Sequence, residues 1–448
     1  MNGQASTSIS SLASELLVAI AAAGQESDRA LNENEAFKPE WVLSHTSSRF
    51  REAMIDTPAL WTLVEVDLDA EGSVEIAKLY LERSRVCKIR ANLCHAQNLS
   101  PDADADDVPP VITERFRQII PHIHRIWWLS IALAPEWAEL LLAPLRDMTA
   151  PNLQHLEVSN EIEDRLYRVG SCRPIELFSS GAPRLTFVKL VGFVPFPMPG
   201  PPWIASLKHL ELRNVEADGP YFVELATQCI SLAHLSLDMR DIPIEGEQLD
   251  IPSLKSLHIA ILDGEDDTFL SEMVDVFNTP ALTELLISNA HGEQIFPLFN
   301  STSLPHASFP ALTSLCFSHG HGCSCEEDSD EMDDLHTISA PPLELFPSLS
   351  SLTLINQCFT ANLVKDILGP HVEPWPLLQT IALSPMEGSL EAVSDALRIA
   401  IHSKQQSGQV LPKFRLAPAL ASLEDWQDLG ADVEVFDPWD ILHTFWSP

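Results

Sequence analysis

Positive charge is scarce in this chain of 448 residues: 27 lysines and arginines stand against 64 acidic side chains, a formal net charge of −37. Sequence-independent nucleic-acid binding needs cations to displace phosphate counterions, so the balance argues against a nucleic-acid partner and against docking on anionic lipid. A partner protein with a basic surface is the natural electrostatic complement; solubility of a large apolar chain is the plainer use of the same charge. Long apolar runs are also missing. The most apolar stretch, 127–145, carries Pro135, Glu136 and Glu139, and charges near a helix centre are costly in a bilayer, so no membrane span is expected. No basic residue precedes Arg29, and Glu15 borders the apolar run 16–23, so no secretory leader is expected. The eight cysteines lie far apart, without the density of a disulfide scaffold. They read as reduced thiols of an intracellular protein, cytoplasmic or nuclear. Signatures of phosphate loops, dinucleotide sites, serine hydrolases and zinc proteases are absent, so a non-enzymatic chain without a cofactor is expected.

What is present is a repeat. Apolar residues make up 45% of the chain, enough to build a large core. They recur as apolar, two variable, apolar, one variable, apolar, often introduced by proline: Pro151-Asn-Leu153-Gln-His-Leu156-Glu-Val158, Pro252-Ser-Leu254-Lys-Ser-Leu257-His-Ile259, Pro347-Ser-Leu349-Ser-Ser-Leu352-Thr-Leu354. Ten copies begin at residues 126 to 378, with spacings from 22 to 37 residues and a mean of 28. That mean lies in the ~20–29 residue range of leucine-rich repeats, each a short strand with a helical or irregular return. Strand alternation turns both later apolar residues to one side, where stacked copies share a core that none could bury alone. The expected fold is α/β, an irregular leucine-rich-repeat solenoid with parallel strands on its concave side. Helical returns are expected at 221–230, 269–277 and 391–402, and the prolines are read as extended entries into the strands. Asparagine falls seven residues after the first leucine in four copies (Asn160, Asn214, Asn289, Asn356), not at the eighth, so no regular asparagine ladder is expected.

The same register lists the outward face. Offsets of two, four and six residues from the first leucine place His155, Glu157, Phe187, Lys189, His209, Glu211, Arg213, His234, Asp238 and His258 on neighbouring strands. Later copies offer mostly Ser, Thr and Ala. Aromatic and charged side chains anchor interfaces better than small polar ones, so these ten are the candidate substrate-binding residues. A plain solvated face is the alternative, because outward positions are polar in any case.

Ahead of the repeats stands a different block. Leu12-Ala-Ser-Glu-Leu16-Leu17-Val-Ala-Ile20 spaces apolar residues for a short helix, residues 32–40 read as a loop, 41–54 as one amphipathic helix ended by Thr57-Pro58-Ala59-Leu60-Trp61, and 79–85 as a helix leading to a strand at 89–93. This block resembles the F-box of fungal-type F-box/leucine-rich-repeat proteins, most closely in Thr57-Pro58-Ala59-Leu60-Trp61 and Leu81-Glu82-Arg83-Ser84. Ala13 stands where that family has proline, Thr46-Ser47 where it has Val-Cys, and Phe50 where it has tryptophan. The resemblance implies an F-box-like helical module, and a non-catalytic receptor that recruits a protein substrate to a cullin-type ubiquitin ligase. It implies that Leu12, Leu16, Leu17, Ile20, Val42 and Leu43 face the small adaptor subunit of that ligase. The same residues would otherwise serve as internal contacts of a cap on the first repeat, and the chain as a protein-binding scaffold without ligase coupling.

The expected organisation is therefore a module with a first strand over 1–99, an acidic Pro/Asp linker over 100–110, and the solenoid with its cap over 111–448. Inside the solenoid, His319, His321, Cys323, Cys325 and His336 beside a run of acids form the one metal-like cluster, but its spacing is not that of zinc fingers and no metal is assigned. The proline-rich 194–203 stretch reads as a stiff loop, and Asp263–Asp267 as the cap of a helix.

Overall fold

The copies of the repeat begin with a turn, which proline favours where it is present and which Leu207 and Leu232 make without it, donating to Ile204 at 3.2 Å and Cys229 at 3.1 Å. In a four-residue stretch of the form X-Pro-x-Leu, the leucine N–H donates to the carbonyl of X: Leu153 to Ala150 at 3.2 Å, Leu254 to Ile251 at 3.1 Å, Leu282 to Thr279 at 3.0 Å, Leu349 to Phe346 at 3.2 Å. Proline fits the second place of such a turn because its φ is already set and its missing N–H is not called upon. The prolines are thus turn residues, not the extended strand entries expected from the sequence. Residue X and the leucine are both buried, and Phe309 and Phe346, occupying X in successive copies, stack 6.2 Å apart.

The turn delivers the chain to its neighbour. One carbonyl per copy accepts two N–H groups from the next: Lys255 O from Thr283 (2.8 Å) and Glu284 (3.0 Å), Thr313 O from Ser350 (3.0 Å) and Ser351 (2.9 Å). The strand then runs five or six residues and ends where the backbone must leave the sheet. At the seventh position Gly192, Asn289 and Asn356 have φ of 73°, 60° and 54°, the left-handed region that glycine and asparagine tolerate best. Their N–H groups donate to the last strand residue of the next copy, Arg213 (2.8 Å), Ser318 (2.8 Å) and Ser384 (2.6 Å). The recurrent asparagine therefore sets the strand exit. Asn356 Nδ2 donates sideways to the His319 carbonyl at 3.1 Å.

This computed structural model describes residues 12–31, 38–68, 70–94, 110–133, 135–159, 176–193, 200–213, 219–239, 248–261, 270, 276–290, 295, 309–319, 346–357, 360–368, 377–424, 426 and 428–440. The chain is α/β and divides into two compact units, 1–185 with 201–203, and 186–200 with 204–448. In the first, β1 (Leu63–Asp67), β2 (Ile89–Cys94), β3 (Ile126–Ala132) and β4 (His155–Ser159) pair in parallel in chain order. In the second, β5 (Phe187–Val191), β6 (His209–Arg213), β7 (His234–Met239), β9 (Ser256–Ile261), β11 (Glu284–Ser288), β12 (Ser314–Ser318), β13 (Ser351–Ile355), β14 (Thr380–Ser384), β15 (Lys413–Leu416) and β16 (Val433–Val435) do the same. The short β8 (Leu249–Asp250) and β10 (Phe277–Asn278) pair beside them. Every inward pair, such as Leu210/Leu212, Leu257/Ile259 and Leu352/Leu354, is buried.

Of the expected helical returns, two are present as Gly219–Gln228 and Leu390–Ser407. The third lies mostly outside the described residues, as do residues 100–109 of the expected linker, whose Pro110 begins the helix Pro110–Arg117, and 194–199, Asp263–Asp267, Asn160, Asn214 and the Cys/His cluster beyond His319. Val433–Val435 pairs in register with β15 and ends this open sheet.

The N-terminal helices differ from the expectation. The first, α1 (Ser14–Leu31), is longer than expected, and α2 (Pro39–Thr46) begins inside the presumed loop. The single helix over 41–54 is broken at Ser47, extended at φ −158° and ψ 165°, which caps α3 (Ser48–Ile55) by accepting from Phe50 N at 3.3 Å. Glu40 organises the block. Its buried carboxylate accepts from Gln25 Nε2 of α1 at 2.7 Å and from Tyr80 Oη of α4 (Ser73–Arg83). Gln25 also donates to Leu60 O at 2.9 Å, and the buried Trp61 donates to Met54 O at 2.8 Å. Arg125 closes the other end of α4, donating to Leu81 O at 2.6 Å and Ser84 Oγ at 3.0 Å, a cation against the negative end of a helix.

Replacing Asn356 with alanine is expected to cost about 1–2 kcal/mol, because alanine disfavours the left-handed exit. Asn356→Gly is expected to cost less, since it keeps the conformation and gives up the contact to His319. Urea denaturation of the three proteins checks the order.

Candidate functional site

The outward side chains of the second unit meet in three columns. In the first, Phe187, His209 and His234 sit opposite one another on β5, β6 and β7. Their rings stack, Phe187 to His209 at 4.4 Å and His209 to His234 at 5.5 Å between centroids, with interplanar angles of 28° and 23°. Strands about 4.8 Å apart hold aromatic rings at stacking distance without further help. His234 is exposed, and partial burial with the nearby Lys255 charge lowers its pKa against the opposing pull of Glu284.

The other columns carry charge. Glu211, nearly buried, has Oε1 in ion pairs with Arg213 Nε at 2.5 Å and Lys189 Nζ at 3.6 Å. Asp238 lies opposite Arg213 in register. Glu211 Oε1 and Asp238 Oδ1 are both shut from water and accept no hydrogen bond among the described residues. Burial raises the Asp238 pKa, Glu211 adds to the rise, and Arg213 opposes it.

His258 behaves differently from its neighbours. It is buried, with Nδ1 2.8 Å from Ser236 Oγ and Nε2 2.8 Å from Ser288 Oγ. A neutral ring has one N–H and one lone pair, so one serine accepts and the other donates. Burial and the Arg213 charge push its pKa down to about 3. This histidine ties three strands together from within and is not available to a partner.

Beyond it the outward face closes. Leu286, Cys316 and Ile355 stand on that side of β11, β12 and β13 with exposures of 0%, 1% and 2%, and Ala260, Thr353 and Ala382 are buried with them. Small residues there serve packing. Phe187 is itself buried, so the open rings of the stack are His209 and His234.

His155 and Glu157 belong to the first unit, where they pair, Nε2 to Oε1 at 2.8 Å. The His155 ring lies flat on Trp128, 3.3 Å between centroids at 9°, and the Arg90 guanidinium covers the same indole at 4.1 Å. Trp128 falls at the outward offset of two from Ile126, whereas Arg90 lies ahead of the first counted repeat; the alternation of Ile89-Arg-Ala-Asn-Leu93 is the signal for it.

The six apolar residues of the N-terminal block divide by exposure. Leu16 at 53%, Ile20 at 47% and Val42 at 47% are open to solvent, Leu12 and Leu43 are half-buried, and Leu17 at 1% is core. Leu16 and Ile20 are one helical turn apart on α1, so they share a face.

Among the described residues no group of three or more His, Cys, Asp or Glu side chains is placed to hold a metal ion. No helix among them is long and apolar enough to cross a membrane.

Acid should weaken this unit through His258. Its folded pKa lies below the ordinary 6.5, so the unfolded chain takes up a proton that the folded one refuses. Stability is full above that value and is lost as pH falls from it toward 3. Urea midpoints measured from pH 7 to pH 5 are expected to fall, and to fall less steeply in His258→Gln.

No protein-family model matches the chain, and no curated protein sequence matches it. Among solved structures, a structural-genomics target from Bacteroides fragilis is similar at 14% identity over 77% of this chain and 84% of its own, with a TM-score of 0.30. Likeness at that score carries no argument about fold or function, so the reading of this chain rests on its own residues.

Proposed function

We propose that this chain is a non-catalytic protein-recognition subunit that recruits a protein substrate to a cullin-type ubiquitin ligase. The N-terminal block would act as an F-box docking the small adaptor subunit. The repeats, read as an irregular leucine-rich-repeat solenoid, would hold the substrate. The observation that carries the reading is the exposure of Leu16, Ile20 and Val42 on helices whose other sides are fixed by the buried Glu40, Gln25 and Tyr80 contacts. A block that served only as an internal cap would turn such residues inward, as it does Leu17. Exposed aliphatic side chains on a rigid helical frame favour association. The fit of 57–61 and 81–84 to the F-box pattern supports the same assignment.

Co-purification of the full chain with the adaptor tests it. Capture is expected for the unaltered protein and is expected to be lost in a Leu16→Asp/Ile20→Asp double variant, because both residues are open and the change leaves the core intact. Ile76→Asp, on the exposed side of α4, is expected to keep capture. If the unaltered chain captures no adaptor, it is a scaffold without ligase coupling.

A further inference from the structure

Charge on the outward face of the second unit does not balance locally. Both cations, Lys189 and Arg213, are drawn to the single oxygen Glu211 Oε1. Asp238 Oδ1 meets no donor among the described residues. Glu284 is exposed and forms no ion pair or side-chain hydrogen bond among the described residues, yet its charge reaches His234. Both acids lie on the His234 side of the ring stack, Asp238 farther along β7 and Glu284 two strands beyond it, in a chain whose net charge is −37.

Asp238 lies four residues along β7 from His234, about 13 Å, and Glu284 two strands across from it, about 10 Å, so the acids stand roughly 16 Å apart, the reach of about five extended residues. Arginine suits this corner. Its planar guanidinium stacks on ring faces and forks onto carboxylates, which a lysine ammonium does less well.

We propose that this face binds an extended, arginine-bearing segment of a partner protein, with one basic side chain directed to Asp238, a second to Glu284, and the open His209–His234 end of the ring stack as the platform beside them. The proposal deepens the substrate-recognition role above and rests on that role alone. Adaptor capture does not enter it.

The full chain is titrated, at physiological ionic strength, into a fluorescein-labelled Gly/Ser peptide carrying three arginines, and into the same peptide with glutamates in their place, with anisotropy as the readout. Binding is expected for the arginine peptide only. Asp238→Asn/Glu284→Gln is expected to weaken it about fivefold or more, as is His209→Ala/His234→Ala, which leaves the net charge unchanged. The control pair Glu391→Gln/Asp395→Asn removes the same charge from the helix Leu390–Ser407 and is expected to change it less than about twofold. Equal weakening by the two acid pairs would mean bulk attraction to an acidic protein and overturns the proposal. So does an unchanged affinity in the site pair, absence of binding by the arginine peptide, or equal binding of the glutamate peptide. Matching urea midpoints show that the variants are folded. Adaptor capture by the same variants is measured separately, so that either reading can fail alone.

Discussion

Everything in the repeated part depends on one carbonyl per copy accepting two N–H groups from the next copy. Lys208 O, Ala233 O, Lys255 O, Thr283 O, Thr313 O and Ser350 O all do this. The doubled bond fixes where a strand starts relative to its neighbour, and a one-residue slip would turn every inward leucine to the outer face. Register in turn decides the outer face. Phe187 meets His209 and His209 meets His234 only because the three strands start in step. The outward surface is therefore a by-product of main-chain bonding. Its chemistry changes by substitution at outward positions without disturbing the inner core.

The two sides of the sheet were not equally legible in sequence. Inward leucines announce themselves through strict alternation, and the copies starting from 126 to 378 form strands at the anticipated places. Copies in which another residue takes the leucine's place were missed. Trp61 occupies the first apolar position ahead of Val64 and Val66 on β1, fully buried, and an aromatic there hid the strand. Leu411-Pro-Lys-Phe414-Arg-Leu416 does follow the pattern, and it forms β15. The helix break at Ser47 was hidden for another reason. The apolar spacing continues across it, and only a small side-chain cap interrupts the backbone.

The candidate site was legible as a set of positions and illegible as a set of contacts. Alternation alone puts Lys189, Glu211, Arg213 and Asp238 on one face. It does not say that both cations approach Glu211 Oε1 while Asp238 Oδ1 meets no donor among the described residues, because that depends on side-chain reach across strands. Nor does it separate His258 from His209 and His234. All three share the outward face, yet His258 has a serine on either flank and is buried between them, whereas His234 stays open to solvent. Histidine between hydroxyls is a strut, and histidine against rings is a surface.

That contrast also explains why the outward face changes character along the second unit. From β9 onward, His258 and Glu284 apart, the outward side chains of β9 to β14 are small or aliphatic, and most are buried. From β5 to β7 most are aromatic or charged. A carboxylate oxygen that meets no donor among the described residues costs free energy that packing alone does not require. Under the proposed recognition role, Asp238 and Glu284 would supply the charge, and the ring stack ending at His234 beside both would give a basic side chain a surface on which to lie.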